Sequence, residues 1–461
     1  MKRNEAKEMK PFFICISRRD RQQVRASLFT DDGNENAGAL LCGMSDGDHE
    51  YRLLVRKFCP VPAELYIARN EYHLEVSPHF YNSIIDDCIR ERLSPVIIHS
   101  HPRHKDACYS PSDDSGEAKL LPVLESLLPK TTPASLVLTP HSLTGRRLVR
   151  GKFTPITGLK VFGLSSEIAL FRGSEEFKIT GIFDRQVRAF GAEGQRLIQS
   201  LKVGVVGVGG IGSLVVEQLA RAGIANLALV DNDKIEESNL SRLLGAAKKD
   251  IDKSKAAVIG KHAQHLGVKK VTVISDSAIR QEVLNLLRDR DLIFSCVDND
   301  RTRAILNRFS YQYLVPVVEL GIRLDSREGN MRAAAGRVVI VGAGMTCLRC
   351  SHHLDPERIR AESLPKTERL LLQQEGYVMG IDEPVPAVIS LNAVVAGLGV
   401  TAALNMFVKL TGGPQPVGQI YDATTGSVFT TNDVHEKGCD ICDDVVGLKG
   451  LGDSQIVSAY T

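Results

Sequence analysis

Val203-Gly204-Val205-Val206-Gly207-Val208-Gly209-Gly210-Ile211-Gly212 is the stretch that decides the fold of the larger part of this chain. A β-branched run, Val203 to Val208, meets a cluster of glycines, and an apolar helical period follows from Ile211 to Ala220. Glycine at 207, 209, 210 and 212 lets the backbone turn tightly and sets amide groups and a helix N-terminus against a ligand. Asp231 ends the next strand, Leu227 to Asp231, where an acid that binds a ribose belongs. The combination indicates a nucleotide without saying which, because dehydrogenases, methyltransferases and adenylating enzymes share it.

Alternation continues outward from this turn. Ser254 to His265 and Ile279 to Leu287 read as helices, Val271 to Ile274 and Leu292 to Val297 as strands, so a Rossmann-like, mostly parallel doubly wound sheet is expected over 181–446. Upstream, residues 1–158 read as an α+β domain of short strands with two helical segments, one from His79 to Leu93 and one opening at Ser110. Residues 159–180 show no long period and are expected to be a connector, and 447–461 a poorly ordered tail.

At 461 residues, with 43% apolar and 24% charged residues, the chain fits two globular domains. A net charge of +2 offers no field for nucleic acid or an anionic membrane, so neither is an expected partner. No apolar run is read as a membrane span, and Phe12 to Ile16 is too short for a signal sequence; a cytoplasmic location is expected. In that reducing setting the ten cysteines are thiols or ligands. Cys347-Leu348-Arg349-Cys350 and Cys439-Asp440-Ile441-Cys442 together have the spacing of a closed, structural zinc site.

A second metal constellation lies in the first domain. Ser94-Pro95-Val96-Ile97-Ile98-His99-Ser100-His101-Pro102 reads as a buried strand whose alternation puts His99 and His101 on one face. Ser110 and Pro111 have the chemistry of a helix start, which places Asp113 in the first turn. Two imidazoles and a carboxylate leave a fourth zinc position open, the ligand count of a catalytic site, and Glu35 is the candidate general base. The set Glu35, His99-Ser100-His101-Pro102, Ser110 and Asp113 resembles the JAMM (JAB/MPN) metalloproteases. That resemblance implies a cytidine-deaminase-like α+β fold, catalytic zinc on His99, His101 and Asp113, Glu35 as base, Ser110 as oxyanion donor, and hydrolysis after the C-terminal Gly-Gly of a ubiquitin-like protein.

In the second domain, Asn239-Leu240-Ser241-Arg242, Lys255 and Asp298 suit a triphosphate with magnesium better than a hydride carrier. With Phe183-Asp184-Arg185-Gln186 they resemble the ThiF/MoeB-type adenylation domain of ubiquitin-activating enzymes. The resemblance implies ribose binding by Asp231, phosphate binding by Asn239, Arg242 and Lys255, magnesium on Asp298, and Arg185 reaching into the site of a partner subunit, hence a homodimer. Two departures stand out. No cysteine occurs from Ser351 to Gly438, where thioester-forming relatives carry one, and Asp252 stands where the family often has glycine. Cys296, beside Asp298, reads as packing rather than as a nucleophile.

The leading expectation is a bifunctional enzyme that processes or deconjugates a Gly-Gly-tailed protein with zinc and adenylates its glycine with ATP and magnesium. The alternative within that class is maturation and activation of a sulfur carrier (thiamine, molybdopterin or cysteine type) as against a bacterial ubiquitin-like conjugation or antiphage defence pathway. A scaffold with one silent domain, and a nucleotide-dependent oxidoreductase, are the readings from other classes.

Overall fold

The computed structural model describes residues 10–171, 177–327, 330–365, 367–369, 371, 386–411, 415–432 and 434–453. The chain divides into two compact units, one of Met1–Phe162, Glu167–Ser174 and Lys449–Ile456, the other of Gly163–Ser166, Glu175–Leu448 and Val457–Thr461.

The first unit runs β1 (Phe12–Ser17), α1 (Arg18–Leu28), β2 (Ala37–Asp46), β3 (Tyr51–Pro60), β4 (Tyr66–Arg69), β5 (Leu74–Val76), α2 (Pro78–Glu91), β6 (Ser94–Ser100) and α3 (Pro111–Leu127). It ends with β7 (Ala134–Leu138), β8 (Leu143–Val149), β9 (Lys152–Pro155), β10 (Gly158–Phe162) and β11 (Glu167–Leu170). Nine of these strands form one mixed sheet in the order β11-β10-β1-β3-β2-β6-β7-β8-β9. Strand alternation splits the core. Leu40, Val96 and Ile98 join Val24 and Leu28 of α1 on one face, while Ala39, Leu41 and Ile97 meet Phe80 and Ile84 of α2 and Leu121 and Leu124 of α3 on the other. His99 shares the parity of Ile97, so β6 delivers it to the face that α2 and α3 cover.

Three expectations change in this unit. The helix α1 was not expected, because its sequence is mostly polar and charged; Val24 and Leu28 alone carry its buried apolar stripe, and Ser17 caps it by accepting from the Asp20 amide. The stretch 159–180, expected to be a connector, supplies β10 and β11: β10 pairs parallel with β1 and β11 antiparallel with β10, because Leu159 and Val161 complete the core. Its residues 172–176 lie outside the described set.

The tail expected from 447 also differs, since residues 449–453 bond to the first unit. Gly43 N donates to Gly450 O at 3.1 Å, Asp453 N to Met44 O at 2.7 Å, and the buried Lys449 Nζ to Asp20 Oδ1 at 3.0 Å. A Cβ on Gly43 would stand 2.1 Å from Gly450 O, so only glycine permits this approach. Residues 454–461 of that expectation lie outside the described set.

The second unit runs α4 (Asp184–Ser200), β12 (Lys202–Val206), α5 (Gly210–Ala222), β13 (Asn226–Val230), α6 (Lys255–His265), β14 (Lys270–Ile274), α7 (Gln281–Leu287), β15 (Leu292–Ser295), α8 (Asp300–Tyr313), β16 (Val317–Arg327) and β17 (Asn330–Val341). It continues with α9 (Pro356–Ser363), α10 (Ile389–Val408), β18 (Gly418–Asp422) and β19 (Ser427–Thr431). The sheet order is β14-β13-β12-β15-β16-β17-β18-β19. Its first five strands are parallel and the remaining pairs antiparallel. Strand order therefore reverses between β12 and β15, where an open α/β sheet forms its ligand crevice at the carboxyl ends of the strands.

The helix α10 corrects the expectation that no run is long enough to span a membrane: its 20 residues are apolar enough for that by length and composition. In the structure it packs on α4, α5, β16 and β17. Small residues allow the contact, since Gly399 lies against Leu320 and Gly336 of β17 against Val395.

Candidate functional site

In the first unit, backbone geometry gathers the expected metal residues. Asn36 and Ser100 clasp the start of β2 to the end of β6: Ser100 N donates to Asn36 O and Asn36 N to Ser100 Oγ, each at 2.9 Å. The clasp sets the buried Glu35 beside the histidines, with its carboxylate 3.7 Å from His101 Nε2. On the other side Ser110 caps α3; its Oγ accepts from Asp113 N at 3.2 Å, and Asp113 Oδ2 accepts from Ser110 N at 2.7 Å. That reciprocal box aims the Asp113 carboxylate at His99 and His101, which had to come from β6.

The three ligand atoms converge. His99 Nε2 lies 3.2 Å from His101 Nε2 and 3.2 Å from Asp113 Oδ1, and His101 Nε2 lies 3.4 Å from Asp113 Oδ2. A tetrahedron with zinc-to-ligand distances of about 2.0–2.1 Å has edges of roughly 3.3–3.4 Å, so the donor set fits zinc in spacing as well as in chemistry. Burial pushes the Glu35 carboxyl up, against the lowering influence of His101 and His99. Burial would raise Asp113 as well, but hydrogen bonds from His101 and His99 outweigh it and hold its carboxyl well below the usual range. Ser110 spends a lone pair on the cap, and its hydroxyl proton is left to donate.

In the second unit a cavity of about 920 Å³ opens at the β12/β15 switch point. Gly207 turns at φ +82°, and a Cβ on Gly212 would stand 1.9 Å from Gly207 O, so the turn tolerates no side chain there. Gly209 and Gly210 line the cavity at the start of α5. Asp231, nearly buried after β13, accepts from Val208 N at 2.8 Å and Asp233 N at 2.9 Å, which ties the acid to the glycine turn. Burial pushes its carboxyl up. Asn239, Arg242, Lys255 and Asp298 all line the same cavity. Lys255 Nζ holds Asp233 Oδ2 at 2.8 Å and Arg242 Nη1 the Ser238 carbonyl at 2.9 Å.

Asp252, three residues before the start of α6 at Lys255, adopts φ +68°, the left-handed conformation for which glycine is the ordinary residue and aspartate a tolerated one. Cys296 lies under the glycine turn, with its carbonyl 2.8 Å from where a Gly207 Cβ would stand, and burial pushes its thiol far up. Two residues of the expected set do not line the cavity: Gly212, which packs against the Gly207 carbonyl, and Arg185, which is exposed on α4 and was expected to serve a partner subunit's site. Sequence reasoning also missed residues. Arg301, Arg303, Arg358, Glu362 and Asn392 line the cavity from α8, α9 and α10, and no local motif marks them. Arg303 donates to Asp300 Oδ1 at 2.7 Å and Val297 O at 2.8 Å and so braces the loop that carries Asp298.

The four cysteines of the CxxC pairs meet as free thiols with all Sγ atoms within 4.8 Å. Sγ separations of 3.9 Å for Cys347–Cys439 and 3.5 Å for Cys350–Cys442 match the edge of roughly 3.8 Å expected for zinc–sulfur bonds of about 2.3 Å.

The ThiF family model matches residues 183–441, more than half of the chain. The chain belongs to the ThiF family. It is 28% identical over 270 residues to the molybdopterin-synthase adenylyltransferase of Escherichia coli strain K12, covering 56% of this chain and 95% of that protein. It is 34% identical over 118 residues to the sulfur carrier protein adenylyltransferase of Thermus thermophilus, covering 25% of this chain and 44% of the other. The adenylyltransferase and sulfurtransferase UBA4 of Yarrowia lipolytica is 33% identical over 144 residues, which cover 30% of this chain and 35% of that protein. This chain therefore spans less than half the length of the latter two. Among solved structures, the microcin C7 biosynthetic enzyme MccB with N-formylated MccA has a TM-score of 0.47 at 20% identity, over 57% of this chain and 75% of that one.

Proposed function

We propose that this chain is an ATP-dependent adenylyltransferase that activates the C-terminal glycine of a sulfur-carrier protein, and that its first unit is a zinc hydrolase acting on the same kind of Gly-Gly tail. The observation that carries the adenylation reading is that Gly207, Asp231, Asn239, Arg242, Lys255 and Asp298 surround one cavity at the switch point. Asp231 would hold the ribose, Arg242 and Lys255 the phosphates. Asp298 would hold magnesium, which when bound offsets the charge of the departing pyrophosphate. The names of the molybdopterin-synthase and sulfur-carrier adenylyltransferases favour a sulfur carrier over a conjugated modifier. So does the lack of any cysteine from Ser351 to Gly438. ATP–pyrophosphate exchange dependent on a sulfur-carrier protein tests this; wild-type exchange that Lys255→Ala does not reduce would sink it.

The family match begins at residue 183, so the hydrolase reading rests on the first unit's own geometry. His99, His101 and Asp113 would hold zinc, which supplies a Lewis acid and an acidified water. Glu35, whose carboxylate lies 3.7 Å from His101 Nε2, would take the proton of the attacking water, and Ser110 would donate to the oxyanion that forms at the glycine carbonyl. Metal analysis tests it: two zinc ions per chain are expected, and one that survives only in chains with all four cysteines would refute it. Arg185 stands exposed on α4, as a residue that serves a second copy's cavity would. Sizing of the chain, followed by mixing Arg185→Ala with Lys255→Ala chains, checks that homodimer; regained exchange on mixing is the expected outcome.

A further inference from the structure

We infer that Arg301 and Arg358 form the seat for the free carboxylate of the acyl substrate, across Asp298 from the nucleotide. The inference rests on the adenylation reading above. The two arginines are brought together by one acid. Glu362 Oε2 accepts from Arg301 N at 2.7 Å, and Glu362 Oε1 accepts from Arg358 Nε at 2.9 Å. Arg358 Nη2 also reaches Asp298 O at 3.4 Å, so its guanidinium lies beside the acid read as the magnesium ligand.

The donors of Arg301 are hardly spent. Nη1 reaches only Glu362 O, at 3.5 Å, and Nε is buried without a hydrogen-bond partner among the described residues. Both arginines line the cavity. An arginine whose main chain is held by Glu362, whose guanidinium makes only one long bond among the described residues and whose side chain lines the cavity, leaves donor capacity that a planar anion accepting two bonds would take up.

Strand order says which anion. Asp231 follows β13, the glycine turn follows β12, Asp298 follows β15, and Leu320, Gly321 and Ile322 line the cavity from β16. Passing across the sheet, the ribose acid comes first, then the phosphate turn, then the magnesium acid, and only beyond it the arginines of α8 and α9. Arg242 and Lys255, read above as the phosphate ligands, line the cavity from the segment that follows β13. In the reaction a carboxylate oxygen forms a bond to the α-phosphorus. The bond from that phosphorus to the bridging oxygen breaks, and its electron pair leaves with pyrophosphate. The carboxylate enters ionised, so no proton has to move, but it approaches a polyanion and needs a cation of its own. Arg301 and Arg358 supply it, and they admit a free C-terminal carboxylate while an amide gains nothing from them.

The test uses the full chain with magnesium and a non-hydrolysable ATP analogue, titrated with a peptide ending in Gly-Gly as the free acid and as the C-terminal amide. Wild type is expected to bind the acid about tenfold or more tighter than the amide, the scale of a charge-assisted hydrogen-bond pair. Arg301→Met and Arg358→Met each lose that preference and keep their affinity for the analogue within about twofold. Equal binding of acid and amide by wild type, or no binding of the acid, overturns the seat. So does an analogue affinity that drops about tenfold in either variant, which reassigns the arginines to the phosphates. If one variant fails to fold, the other and the wild-type acid-to-amide ratio still decide. A wild type that binds no ATP analogue would instead remove the adenylation reading on which the seat stands.

Discussion

The cluster of His99, His101 and Asp113 and the cluster of Cys347, Cys350, Cys439 and Cys442 have the same compactness, with all ligand atoms within 4.8 Å in each, and opposite chemical consequences. The first offers three hard or borderline ligands with Glu35 and Ser110 close by, so a bound zinc would keep a fourth position beside the groups proposed as base and oxyanion donor. The second offers four sulfurs and surrounds them with backbone: Cys350 N donates to Cys347 Sγ at 3.4 Å and Glu436 N to Cys350 Sγ at 3.5 Å. Its loop is tied to α8 by Asn307, whose Oδ1 accepts from Leu348 N at 3.0 Å, and by Tyr311, whose hydroxyl donates to Met345 O. The lesson is that ligand count and the neighbours of the ligands, rather than the spacing of the ligands, are what would separate the proposed reaction centre from the proposed brace.

Several substitutions would break or sharpen that contrast. The largest effect belongs to Glu35→Gln, expected to slow Gly-Gly hydrolysis by about 10²–10⁴ with both zinc ions retained, since it removes only the base. Metal analysis beside the rate measurement checks it; loss of the first zinc would mean that Glu35 is a ligand. Next comes Lys255→Ala, which should lower ATP–pyrophosphate exchange by about 10²–10³ and leave hydrolysis untouched. A third effect separates the clusters directly. Mild chelation should abolish hydrolysis while exchange continues, because the open site has fewer ligands. Stripping the cysteines as well should lower the melting temperature of the second unit by about 5 °C or more. Equal resistance of both activities to the chelator would contradict the contrast. The smallest effect is at Asp252: glycine suits its φ of +68°, so Asp252→Gly should be neutral or stabilising by about 1 kcal/mol or less in thermal unfolding, with exchange unchanged.

What the sequence discloses depends on how local the signal is. The glycine turn, Asp231, the His-Ser-His strand end, the Ser110-Pro111 helix start and the CxxC pairs are short patterns with their own chemistry, and each is where its pattern implies. The helix α1 was hidden because two buried apolar residues, Val24 and Leu28, make its whole stripe. The helix α10 was overlooked for the converse reason: Ser390, Asn392, Thr401 and Asn405 interrupt its apolar run, yet none carries a charge. The strands β10 and β11 and the segment 449–453 became visible only through partners far away in sequence, β1 for the former and Gly43 and Met44 for the latter. Arg301, Arg358 and Glu362 belong to that class too, since α8 and α9 meet only in the fold.

The central claim is that an open zinc site and an adenylation cavity serve one Gly-Gly-tailed carrier. Intact-mass measurement of a sulfur-carrier protein extended by a few residues beyond its Gly-Gly, incubated with this chain, zinc, magnesium and ATP, tests it most directly. The account predicts loss of the extension, absent with Glu35→Gln, followed by gain of an adenylate, absent with Lys255→Ala. An extended carrier that keeps its mass, together with a trimmed carrier that gains no adenylate, would contradict it.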